Sequence, residues 1–131
     1  MSDPRVDDVI AGAVVLDRDA LARLERIGGP TLLRRMVDIF LQDAVVRVDT
    51  ILHSPHAADV MRAAHTMRSS AGNLGLDQVF RLTEAIEARA AAGDEPGYAP
   101  LRAALADAHV RAIAALEREV QRVAPPTAEE P

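Results

Sequence analysis

Apolar residues recur every three or four positions through most of this chain, the spacing of one buried helix face. From Pro30 to about His53 the stripe is Leu33, Val37, Phe40, Ala44, Val48 and Ile51, which predicts a long amphipathic helix. His53-Ser54-Pro55 ends it, because a residue before proline is pushed out of the helical region. The next helix runs to about Asn73, with Ala57, Val60, Ala64, Met67, Ala71 and Leu74 at alternating spacings of three and four. Gly75 stops that helix, and Leu76, Val79, Leu82, Thr83 and Ile86 outline another that fades at Ala92-Gly93-Asp94. Glu95-Pro96-Gly97 reads as a further turn. Pro100 reads as the start of a final helix with Leu101, Leu105, Ala112, Leu116, Val120 and Val123 on its inner face. Upstream, Asp17 is placed to cap a short helix from Arg18 to Arg26, closed by Gly28 and Gly29.

Four long helices joined by short turns predict an all-α fold, an antiparallel up-down-up-down four-helix bundle with the short N-terminal helix as a lid. The bundle is assigned to residues 14–123. Residues 1–13, without clear periodicity, are expected to be a flexible N-terminal segment, and residues 124–131, with three prolines and no apolar anchor, a disordered C-terminal tail.

Composition narrows the function. At 131 residues with 49% hydrophobic positions, one domain supplies its own core, and the absence of cysteine removes thiol chemistry and Cys-ligated zinc. A formal charge of −5 argues against phosphate-backbone binding, so no nucleic-acid partner is expected. No uncharged stretch is longer than the one from Thr50 to Ala58, and Asp3, Asp7 and Asp8 stand where a signal peptide is basic. No membrane insertion and a cytoplasmic location are expected. Phe40, Phe80 and Tyr98 are the only aromatic residues, which fits helices better than a sandwich or barrel.

The helix after Pro55 carries the chemistry. At about 100° per residue, His65 lies about 140° from the core direction and projects into solvent. Arg68, Ser69, Gly72 and Ala58 share its side of the wheel, so the imidazole stands among small residues. Gly72 costs roughly 1 kcal/mol relative to alanine inside a helix, which suggests that something needs close access there. An exposed imidazole is largely neutral at cellular pH and offers a ring nitrogen lone pair for nucleophilic attack. Arg68, one turn on, is suited to anionic oxygens.

The stretch Ala64-His65-Thr66-Met67-Arg68-Ser69-Ser70-Ala71-Gly72-Asn73-Leu74-Gly75 resembles the signature of histidine-containing phosphotransfer (Hpt) domains, roughly A-H-x-L-K-G-S-x-G-x-x-G. His65 falls on the phosphorylated histidine, and Gly72 and Gly75 on the later glycines. Arg68 replaces the usual lysine and Ser69 the usual glycine. Val15-Leu16-Asp17, Leu24, Gly28-Gly29 and Phe40 upstream, and Leu82 and Glu87 downstream, are similar as well, so that the resemblance spans residues 14 to about 93 and leaves the final helix as a generic bundle member. It implies reversible phosphorylation of His65 in a two-component phosphorelay, without autonomous kinase or phosphatase activity. The implied partners are response-regulator receiver domains and a hybrid sensor histidine kinase. No cofactor is expected on this chain, Mg²⁺ belonging to the partner receiver. An alternative is a helical interaction bundle whose histidine is not phosphorylated.

Glu87 matches an acid that orients the histidine in some chemotaxis kinases of the family, but reads equally as a surface glutamate and is not counted among the site residues. A second apolar stripe at Leu41, Val45 and Leu52 is expected to adjoin His65, so Leu41 and Val45, with Met61 one turn before the histidine, form the expected docking shelf. His53 and His56 are broken from one helix by Pro55 and make a poor metal pair. His109 reads as solvent-facing, and Glu117/Arg118 and Glu119/Arg122 as a solvated face. A monomer is expected.

Overall fold

The computed structural model describes residues 4–123, as five helices: α1 (Pro4–Ile10), α2 (Arg18–His53), α3 (Ala57–Leu74), α4 (Asp77–Ala91) and α5 (Glu95–Val123). Helices α2 to α5 form the bundle, each packed on its chain neighbour, with α2 against α5 closing the ring. No helix among the described residues is long and apolar enough to cross a membrane. The expected tail at 124–131 lies outside the described residues.

Helix α2 has two limbs. Asp17 caps its start, accepting from the Asp19 N–H at 3.0 Å, and Gly29 breaks the ladder with φ 74° and ψ −177°. Residues 18–28 therefore form the lid, two residues longer than the expected helix from Arg18 to Arg26, and residues 30–53 the first long bundle helix. Every position of the stripe from Leu33 to Ile51 is buried, as are Val60, Ala64, Met67, Ala71 and Leu74 of α3. Gly75 ends α3 in the left-handed region at φ 75°, and its N–H returns to the Gly72 carbonyl. Its own carbonyl accepts from the Asp17 N–H at 2.7 Å, which ties the α3–α4 turn to the lid.

Of the segment expected to be flexible, residues 1–13, the described residues 4–13 are more structured than expected, and residues 1–3 lie outside the described residues. Val6, Val9 and Ile10 of α1 pack against the core, Arg81 donates to the Ala11 carbonyl at 2.6 Å, and the Gln78 amide donates to the Ala13 carbonyl at 3.3 Å. A seven-residue helix carries too few positions for a periodic signal, and its contacts come from some 70 residues away.

Helix α5 also begins earlier than expected. Gly97 and Tyr98 donate to the Asp94 carbonyl, and the Asp94 carboxylate accepts from the Gly97 N–H at 3.0 Å, so Asp94 closes the first turn and Glu95-Pro96-Gly97 is helical. Pro96 sits where no backbone donor is needed. Pro100, inside the helix, removes a ladder hydrogen bond at a cost of up to about 3 kcal/mol. Burial of Tyr98 and Leu101, roughly 2–3 kcal/mol apiece, offsets that cost. Arg102 lies 4.9 Å over the Tyr98 ring and donates to the Ile51 and Ser54 carbonyls at 2.9 and 3.1 Å, satisfying the C-terminal end of α2. Leu101, Leu105, Ala112 and Leu116 are buried and Val120 packs on the core; the Val123 side chain lies outside what is described.

Two polar residues of α5 lie deeper than their sequence context suggests. Glu119 is buried between Arg18 and Arg122, because the lid closes over a face that would otherwise be solvated. His109 is 7% exposed, with its ring centroid 6.2 Å from that of Phe40, and its Nδ1 is buried without a hydrogen-bond partner. Burial pushes its pKa below the ordinary histidine value. Above about pH 6.5 both folded and unfolded chains keep this group neutral. As pH falls below that value the unfolded chain takes up the proton first, so stability falls by up to about 1.4 kcal/mol per pH unit until the folded-state pKa is passed. Thermal melts from pH 7.5 to 5 are expected to show this loss in the wild type and a shallower one in His109→Phe, which keeps a ring against Phe40.

Candidate functional site

The α3 seam that faces the core fixes where His65 points. With Ala64 and Met67 buried on either side, the His65 side chain is left 57% exposed on the edge shared by α3 and α4. Its Nδ1 lies 2.7 Å from Glu87 Oε2 on α4. A carboxylate only accepts, so Nδ1 is the donor of this hydrogen bond, and in the neutral imidazole that tautomer has its lone pair on Nε2. The Glu87 side chain is only 23% exposed, and the same carboxylate reaches Arg68, whose Nε lies 2.8 Å from Oε1. That contact is ionic, since the Nε–H is not aimed at the oxygen. Arg68 Nη2 stands 3.4 Å from His65 Nδ1, so the guanidinium flanks the imidazole as well as the carboxylate.

Ser69 occupies the apex of the exposed face, but its hydroxyl turns back and donates to the His65 carbonyl at 3.3 Å. It adds a methylene and a satisfied hydroxyl to the surface. Gly72 is exposed, and a Cβ there would lie 3.3 Å from Phe80 Cδ1 and Cε1. The group that closes on this glycine is thus the Phe80 ring of α4, which packs half-buried against the core. Met61, half-buried, lies one helical turn before His65 on the same ridge.

The expected shelf is elsewhere. Val45 is 61% exposed and shares a groove with Val48, Leu52 and His109, between α2 and α5, and Leu41 precedes Val45 by one turn on the same stripe. The opposite side of α2 faces α3 through Phe40, Asp43, Ala44 and Arg47, which meet Thr66, Met67 and Ser70. Leu41 and Val45 therefore border the α2–α5 edge while His65 borders the α3–α4 edge, across the bundle. The sequence wheel allows faces of antiparallel helices either to adjoin or to diverge; here they diverge.

Sequence reasoning left out Glu87 as a site residue. It follows the buried Ile86 and lies one turn after Thr83, and on its own helix it reads equally as a surface glutamate; only the pairing of α3 with α4 brings it to a histidine 22 positions away.

A family model described as Hpt domain matches residues 35–124. The match takes in the final helix, which the motif reading had left generic, and starts inside α2. No curated protein and no solved structure matches the chain significantly.

Proposed function

The chain belongs to the Hpt domain family, and from that premise we propose that it is a phosphorelay intermediate that accepts a phosphoryl group on His65 and passes it to a receiver-domain aspartate. The observation that carries this reading is the exposed imidazole with Nδ1–H committed to Glu87, which leaves Nε2 facing solvent as the nucleophile. In the forward step the Nε2 lone pair forms a bond to phosphorus as the bond from phosphorus to the donor aspartate oxygen breaks. The released carboxylate keeps the electron pair. Positive charge then develops on the ring, and the Glu87 carboxylate is already placed 2.7 Å from Nδ1 to stabilise it. Arg68, beside both groups, balances the Glu87 charge at rest and pairs with the phosphoryl oxygens during transfer. Mg²⁺ for the reaction is supplied by the receiver. The partners are receiver domains and a hybrid sensor histidine kinase, met in the cytoplasm by a monomer, with the receiver seated over the α3–α4 face between Met61 and Phe80.

Incubation with a phosphorylated receiver tests the reading, with transfer followed as label that is acid-labile and base-stable. Glu87→Ala is expected to slow transfer by about one to two orders of magnitude, the equivalent of a charge-assisted hydrogen bond of roughly 1.5–3 kcal/mol. A Glu87→Ala rate equal to wild type would remove the carboxylate from the mechanism. Arg68→Ala is expected to slow transfer by about tenfold or more, with little change in thermal stability, because the side chain lies on the surface edge of the bundle. The double variant should lose less than the product of the two, since both residues act through one cluster.

A further inference from the structure

Where the lid begins, it crosses the last part of α5 over a cavity of about 480 Å³. Arg18, Arg111 and Arg118 line it together with Glu119, and Ala114 and Ala115 form its floor. We propose that this cavity binds a compact polyanion, a small molecule with two or more phosphate or carboxylate groups.

The charge of the lining carries the argument. Glu119 is the one acid among these residues, and its side chain, 5% exposed, is already compensated. One carboxylate oxygen lies 3.2 Å from Arg18 Nε, and the other accepts from Arg122 Nε and Nη2 at 3.1 and 2.9 Å. The buried acid thus anchors Arg18 at the rim without neutralising the cavity. Arg111 is held from another direction, its Nε and Nη2 donating to Gln78 Oε1 at 3.3 and 3.1 Å. Arg118 has no ion-pair or hydrogen-bond partner among the described residues. Two guanidiniums are thereby fixed in place and a third is free, a cationic concavity on a chain of net charge −5. Planar guanidinium forks bind oxyanions bidentately, and prior fixing of two of them lowers the entropy lost on binding. The alanine floor lets an anionic group approach α5 closely. The volume falls within the range of small-molecule sites. This site lies on the α5 side of α4 and is separate from His65, so it stands or falls independently of phosphotransfer.

The test is a titration of the ¹⁵N-labelled full chain with pyrophosphate and, separately, with citrate, each against sodium chloride at matched ionic strength. Saturable shifts of the Ala114, Ala115 and Arg118 amides, with His65 unmoved and a dissociation constant of ~1 mM or tighter, are the expected result. Saturation by pyrophosphate alone identifies phosphate groups as the ligand chemistry, by citrate alone carboxylates, and by both a general polyanion site. Arg118→Gln, an exposed change that leaves the bundle folded, is expected to weaken binding about tenfold or more. Shifts that never saturate, that sodium chloride reproduces, or that persist unchanged in Arg118→Gln overturn the proposal.

Discussion

His65→Gln is expected to take up no phosphoryl label from a phosphorylated receiver, a loss of about a thousandfold or more, while its far-ultraviolet signal and melting temperature stay near those of the wild type. Glutamine preserves length and polarity but has no ring nitrogen to attack phosphorus. The side chain is more than half exposed and lies outside the packed seam of Val60, Ala64, Met67 and Ala71, so its replacement removes chemistry and leaves packing intact. Label on His53, His56 or His109 in that variant would contradict the assignment. Their surroundings argue against it: His53 faces Asp49 at 3.8 Å with no flanking cation in the pair, and His109 is enclosed between α2 and α5.

The largest expected loss of stability is at Gly75. The residue adopts φ +75°, which costs an L-residue roughly 1–2 kcal/mol, and an added Cβ would lie 2.7 Å from both the Asp17 carbonyl oxygen and the Ala20 Cβ. Those atoms belong to the lid, so Gly75→Ala must push the lid off the α3–α4 turn or strain both. A destabilisation of about 2–4 kcal/mol is expected, read as a lower urea midpoint at unchanged slope. Gly93→Ala provides the internal comparison, because Gly93 has φ +68° but nothing within 4 Å of the added atom. Its loss should be confined to the conformational cost, and the difference between the two variants isolates the clash with the lid.

What was legible in the sequence is what a single helix determines about itself. The stripe of the long limb of α2 named only buried residues, and that of α3 did so except for the partly buried Ala57 while leaving out the buried Ala63, because a long amphipathic helix exposes its core face through spacing alone. Asp17, Gly29 and Gly75 announced boundaries through local backbone preference. The exposure of His65 followed from the same wheel. The unread features depend on which helices adjoin. His109 and Glu119 look like surface residues on α5 alone, and become buried through α2 and the lid. Leu41 and Val45 form a real second stripe, but the side of the bundle it faces is set by the position of α5, which a wheel does not contain. Helix α1 and the first turn of α5 were missed for a different reason, being short segments held by the remote side-chain donors Gln78 and Arg81 and by Asp94.

The same distinction applies to the site. The ridge of Met61, His65, Arg68, Ser69 and Gly72 was readable because it lies on one helix. In the proposed reaction the Glu87 carboxylate, 2.7 Å from Nδ1, gives that ridge its direction by leaving Nε2 as the reacting atom.

The most direct measurement of this account is the position of the phosphoryl group, read by ³¹P–¹⁵N correlation on ¹⁵N-histidine-labelled chain after reaction with a phosphorylated receiver. One phosphohistidine, at His65 and bonded through Nε2, with the Nδ1 proton retained toward Glu87, is the predicted result. Attachment at Nδ1, attachment at another histidine, or no phosphohistidine at all would contradict it.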